Sequence, residues 1–278
     1  MQINPITEEL ISGWLKTRDP FSHKGDFGRA SLVAGSIGMI GAALLSARAC
    51  MRSGVGLLTT HVPECGYAII QQGIPESKCI SDAHYTHHTY IDIPNGTEVV
   101  GIGPGIGQHV QTQWALHRLI LLNKEIPMVF DADALNILSQ NKQWLLQIPQ
   151  GSIFTPHPGE MQRFGVNPAE MAAQYQLVIV LKGHHTRIYV PKEKSVKIYE
   201  NTLHGNAGMA VGGSGDVLTG IILALMAQHY TAEQAAVIGV WIHALAADLA
   251  LADGNSVESL IPSDIVSHIG AAFNKSRT

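Results

Sequence analysis

The chain has 278 residues, enough to bury on the order of three quarters of its extended surface, so it needs no covalent or metal staple. Charged residues make up only 14% and glycine takes 28 positions, a composition opposite to that of disordered or nucleic-acid-coating chains. A net charge of −4 gives no grip on nucleic-acid phosphates, and three cysteines without C-x-x-C spacing imply neither a disulfide framework nor a zinc ribbon.

The odd cysteine count fits a reducing, cytoplasmic setting. The first twenty residues carry Glu8, Glu9 and Asp19 and no apolar h-region, so no signal peptide is predicted. Thr7–Leu15 reads as a helix with two glutamates in its first turn, making residues 1–22 an extension packed outside a domain of residues 23–278. Strands are then predicted at Ala30–Gly35, Leu57–Val62, Glu98–Ile102, Met128–Asp131, Ser152–Thr155, Val178–Leu181, Thr186–Val190 and Val196–Tyr199. Most are β-branched and unbroken by polar residues, as in strands covered on both faces. The pair around Pro191 reads as a hairpin. Helical patterns fall at Met39–Ser53, His109–Leu122, Pro168–Gln176, Asp216–His229, Ala232–Ala252 and Ser263–Phe273. Thr231 with Gln234 makes a capping box, and Ser263 can cap the last helix. The alternation predicts one α/β domain with a mainly parallel sheet. Val217–Ala227 is too short to cross a bilayer and Ala235–Ala252 is interrupted by His243 and Asp248, so no membrane span is predicted. Sparse charge and many small apolar residues predict instead that some surface is hidden in a homo-oligomer.

The unusual residues sit where predicted strands end, which is where open α/β sheets bind ligands. These are Gly35-Ser-Ile-Gly38, Gly103-Pro-Gly105, Asp131-Ala-Asp133, Thr155-Pro-His-Pro-Gly-Glu160 and Lys182-Gly-His-His-Thr186. Gly101-x-Gly103-x-Gly105 is not a dinucleotide fingerprint, because position 106 is Ile and Pro104 lacks an N–H; a tight turn lining a ligand fits better.

Gly212-Gly-Ser-Gly-Asp216, ahead of an apolar helix, carries the strongest chemical signal. Small residues at a helix N-terminus let the Gly213, Ser214 and Gly215 amides converge as an anion hole for a transferring phosphoryl group. Asp216 at the helix start could take a proton from an attacking hydroxyl; the plain alternative is a capping aspartate. Lys182 and Thr186, around Gly183, could hold a nucleotide phosphate. Glu160 and Asp133 could orient hydrated Mg2+, or merely cap helices. His157, between two prolines, reads as a substrate contact. His84, His87 and His88 read as an exposed polar stretch without metal, and His243 as a satisfied buried histidine.

Together with His23-Lys-Gly-Asp-Phe-Gly28, Gly41–Arg48, Met51-Arg-Ser-Gly54 and Gly205-Asn206, these segments closely resemble the nucleotide-dependent NAD(P)H-hydrate dehydratases of the ribokinase-like superfamily. The resemblance runs from about His23 to Phe273, and Ser214 stands where family members often have Thr. It implies a ribokinase-like three-layer α/β/α sandwich and removal of water from the (S)-hydrate of NADH or NADPH, using ADP or ATP with Mg2+. By matching positions, Asp216 would be the base, and Ala42, Gly105, His157 and Asp216 would contact the hydrate. Lys182, Gly183, His184, His185, Thr186 and Gly215 would hold the nucleotide, with Glu160 linked to Mg2+. A homotetramer is the implied assembly, and the chain would be either a stand-alone enzyme or a piece of an epimerase fusion. A kinase for a hydroxyalkyl heterocycle would share the same features, and so would a nucleotide-binding sensor, although a sensor would not need Asp216.

Overall fold

The computed structural model describes residues 2–277. The first half of the chain forms β1 (Ile3–Pro5), α1 (Glu8–Trp14), β2 (Arg29–Val33), α2 (Ile40–Arg52), β3 (Leu57–Val62), α3 (Tyr67–Gly73), β4 (Lys78–Ser81), β5 (Val99–Ile102), α4 (Val110–Leu122), β6 (Met128–Phe130) and α5 (Ala132–Gln140). The second half forms β7 (Ile153–Phe154), α6 (Pro158–Phe164), α7 (Pro168–Tyr175), β8 (Val178–Leu181), β9 (Arg187–Lys192), β10 (Ser195–Glu200), α8 (Ser214–Ala227), α9 (Ala232–Ala252) and α10 (Pro262–Lys275). The strands make one sheet in the order β1-β10-β9-β8-β7-β6-β5-β2-β3-β4. Every neighbouring pair is parallel except the two that involve β9.

The strands are apolar on both faces because each face carries a core. Val99 and Val129 point into one, and Val100, Ile102, Met128 and Phe130 into the other. Helices α2, α8, α9 and α10 close the first core, and α4 to α7 close the second. Helix α9 is long and apolar enough to cross a bilayer, but 78% of its most apolar window is buried inside the protein. The predicted capping box is present: the Gln234 N–H donates to Thr231 Oγ1 at 3.2 Å, and the Thr231 N–H to Gln234 Oε1 at 3.2 Å.

Three expectations are amended. Residues 1–22 do more than pack outside the core: β1 pairs with β10, and Ile6 and Ile11 are fully buried. Ser263 does not cap α10, because Pro262 takes the first helical position and the Asp264 carboxylate accepts the Ile261 N–H at 3.0 Å. Five elements, β1, α3, β4, α5 and α6, were not expected from the sequence.

Candidate active site

Strand order reverses between β5 and β2, and the crevice at such a reversal opens beyond the strands' carboxyl ends. The Gly35 N–H donates to the Pro104 carbonyl at 2.8 Å, joining the two rim turns. Gly103 has φ +132°, and a Cβ there would stand 1.8 Å from the Asp131 carbonyl oxygen. A Cβ on Gly105 would lie 3.1 Å from that of Ala42, so these two proposed hydrate contacts are neighbours. Asp133, considered for Mg2+, is engaged in this rim: it accepts the Gly107 N–H at 3.0 Å and the Gln108 side chain at 3.3 Å.

Helix α8 enters the crevice through Gly213, whose φ of +96° and contact with Leu45 leave no room for a side chain. The amides of Gly215 and Asp216 fall in the first turn, where a helix supplies no acceptor and its dipole favours an anion. Ser214 faces the other way. Its N–H donates to the Val211 carbonyl at 3.3 Å, and its hydroxyl lies 3.3 Å from His243 Nε2. The first-turn amides left to face an anion are therefore those of Gly215 and Asp216 rather than that of Ser214. Burial pushes His243 down to about 4, so it stays neutral, a satisfied buried histidine as read from the sequence.

Around this helix end three charged groups converge. Lys182, 20% exposed at the end of β8, donates to Asp131 Oδ1 at 2.7 Å. Asp131 Oδ2 accepts the Thr219 hydroxyl at 2.8 Å. A Cβ on Gly215 would be 3.1 Å from Lys182 Nζ. Burial, and then the charge of Asp131, push the Asp216 carboxyl up to about 7 against the pull of Lys182. No described residue hydrogen-bonds or ion-pairs with that carboxyl.

This has a consequence for stability. A carboxyl that keeps its proton up to about 7 when folded, and loses it near 4 when unfolded, makes stability fall as pH rises between those values. Asp216→Asn is expected to match the wild type near pH 4 and to exceed it above pH 7 by roughly 1–4 kcal/mol, measured by denaturant titration without ligands.

His157 caps α6: its Nδ1 accepts the Gly159 N–H at 3.0 Å, while buried Glu160 accepts the His157 N–H at 2.8 Å. A cavity of about 730 Å³ spans this cap, Lys182, Gly183, His184, Thr186 and Gly215, and is backed by the apolar side chains Leu218 and Val240. His185 is exposed beside His184, outside this lining, and neither Ala42 nor Gly105 lines it. Asp131 and Thr219 were not singled out from sequence. The first is visible as the head of the Asp131-Ala-Asp133 turn, and the second only as lying one helical turn beyond Asp216.

The histidine stretch is corrected. His88 is fully buried, with Nε2 2.9 Å from the Gly35 carbonyl and Nδ1 3.3 Å from His61 Nδ1. Burial pushes His88 down to about 3, so this ring is neutral. His84 and His87 are half-buried, and His87 stacks between His84 and His109. Among the described residues no three histidine, cysteine or acidic side chains are grouped to hold a metal.

A model of the NAD(P)H-hydrate dehydratase family matches residues 30–270. The chain is 37% identical over 281 residues to the bifunctional NAD(P)H-hydrate repair enzyme of Vibrio cholerae, covering 97% of this chain and 54% of that protein. It thus spans about half the length of the bifunctional relatives it matches. It is 34% identical over 283 residues to the ADP-dependent (S)-NAD(P)H-hydrate dehydratase of Bacillus subtilis, covering 96% of this chain and 98% of the relative. The structure of the ADP/ATP-dependent NAD(P)H-hydrate dehydratase from Bacillus subtilis, co-crystallised with ATP and Mg2+, superposes with a TM-score of 0.84 at 31% identity over 99% of both chains. The fold is the ribokinase-like α/β/α sandwich expected from the sequence.

Proposed function

The chain belongs to the NAD(P)H-hydrate dehydratase family, and on that footing we propose that it removes water from the (S)-hydrate of NADH or NADPH at the cost of ADP or ATP. The observation that carries this reading is the unpaired Asp216 carboxyl, raised to about 7, beside helix amides and Lys182. Such a carboxyl is a proton acceptor matched to neutral pH.

Hydroxide is a poor leaving group, so the ring hydroxyl is first phosphorylated. Asp216 takes the hydroxyl proton while the oxygen bonds to the terminal phosphorus, and the bond from phosphorus to the nucleotide's bridging oxygen breaks. The first-turn amides of α8 face the charge that builds on the phosphoryl oxygens. The ring-nitrogen lone pair then expels phosphate, and loss of a proton from the adjacent ring carbon restores the double bond. Ala42, Gly105 and His157 border the hydrate, and Lys182 to Thr186 with Gly215 hold the nucleotide.

Among the described residues there is no all-protein cage, so Mg2+ would be held by phosphates and water, with buried Glu160, whose charge also acts on Lys182, as the carboxylate that could orient it. It would neutralise phosphate charge. The 14% charged composition supports a homo-oligomer, for which the family resemblance implies a tetramer, and the three free cysteines support a cytoplasmic location. Sedimentation should show a tetramer that persists on dilution, and a monomer would contradict it.

The test is product analysis with hydrate, ADP or ATP, and Mg2+. Recovered absorbance of the reduced nicotinamide with released phosphate is expected, whereas a stable phosphate ester would make the protein a kinase. Lys182→Ala should raise the nucleotide KM roughly 10- to 100-fold by losing a charge-assisted phosphate contact. It should also lower Tm, because Asp131 is left buried without its cation.

A further inference from the structure

The sharpest local conflict is that a base and a lysine share one buried corner. Lys182 lies close enough to Asp216 to pull its titration down, and an ion pair between them would occupy the carboxyl that the substrate hydroxyl must meet. The lysine instead sits on Asp131, whose own carboxylate is 1% exposed with both oxygens engaged, by Lys182 at 2.7 Å and Thr219 at 2.8 Å. Thr219 is three residues beyond Asp216 on α8, so this hydrogen bond fixes the same helix face that presents the base.

The backbone around Asp131 is specially built. Ala132 has φ +47°, uncommon for a residue with a Cβ, and Gly103 allows the Asp131 carbonyl an approach that no side chain would permit. A purely structural link here would not require charge, since buried ion pairs are commonly replaceable by neutral groups without loss of stability.

We infer that Asp131 is a positioning residue that holds Lys182 off Asp216, keeping the lysine at the phosphate end and the Asp216 carboxyl open to the substrate hydroxyl. This rests on the dehydratase reading above. The charged groups facing Asp216 are Asp131 at the end of β6, Asp133 in α5 and Lys182 at the end of β8; Glu160 acts on Lys182. With Asp131 neutral, Lys182 would turn to Asp216.

The test follows 13C-labelled aspartate carboxyls by NMR in the nucleotide-free protein, with Asp216→Asn assigning the signal. Lys182→Met and Asp131→Asn/Lys182→Met together give the shift caused by losing Asp131's own repulsion. Asp131→Asn alone is expected to move the Asp216 titration down by at least one pH unit more than that, and to cut turnover at saturating nucleotide at least tenfold, with the acid limb of its pH profile moving in step. Asp131→Glu, which keeps the charge that holds Lys182, should leave the Asp216 titration near its wild-type value and keeps the test available where the Asn variant does not fold. An Asp131→Asn shift no larger in the presence of Lys182 than in its absence, or a lowered titration in Asp131→Glu, would overturn the inference. Wild-type turnover of the hydrate is the separate control: its absence would remove the dehydratase reading and leave the titration result standing.

Discussion

Asp216→Asn is expected to lower turnover by about 10²–10⁴-fold, the usual scale for losing a general base, while nucleotide affinity stays within a few-fold. The separation follows from where the groups lie. The cavity with Lys182, Gly183, His184 and Thr186 stands beside α8, and the groups proposed to hold phosphate there are amides and the lysine, none of which the substitution removes. Asn has nearly the same shape and cannot accept the hydroxyl proton. Because the carboxyl titrates near 7, wild-type turnover should rise with pH up to about that value and then level off. The variant's residual activity should lack this limb. Single-turnover kinetics with equilibrium nucleotide binding checks both halves, and an unchanged turnover would end Asp216's role as base.

Gly220→Ala should be a strongly damaging single-methyl change near the site. A Cβ there would stand 2.1 Å from the Ser46 carbonyl oxygen, 2.9 Å from Ala49 Cβ and 3.0 Å from the Cys50 amide nitrogen, all in α2. Backbone atoms cannot step aside as a side-chain tip does, so the two helices must separate. Overpacking of this kind costs about 1–3 kcal/mol, sometimes more. The crossing also carries function, since α2 bears Ala42, α8 bears Asp216, and Ser46 donates its hydroxyl to the Asp216 carbonyl at 2.9 Å. Spreading the helices moves base and substrate surface apart, so turnover should fall more than stability alone explains. Thermal unfolding together with kcat at a temperature where the variant is folded provides the comparison; unchanged values in both would mean the helices accommodate the methyl group.

Much of this architecture was readable before any coordinates. Long apolar runs such as Val178–Leu181 and the glycine breaks behind them place strands and rim turns, because burial on both faces and close backbone approach leave direct marks in residue type. The Gly213–Asp216 junction was readable for the same reason. Less legible was what depends on pairing across distant segments. Nothing in the sequence says that Lys182 meets Asp131, that Ser214 turns inward to His243, or that His88 lies under the Gly35 turn; each follows from the order in which strands pack. Three-residue β1 and seven-residue α6 carry too few positions for a period to show, and neither is an unbroken apolar run.

The place of phosphoryl transfer decides whether Asp216 can act as the base. A crystal structure of this protein with a non-hydrolysable ATP analogue and Mg2+ is the direct measurement. The terminal phosphate is predicted to lie within hydrogen-bonding distance of the Gly215 amide, with the Asp216 carboxylate facing it from the Ala42 and Gly105 side. A terminal phosphate bound away from the N-terminus of α8, with Asp216 facing only solvent or protein, would contradict it.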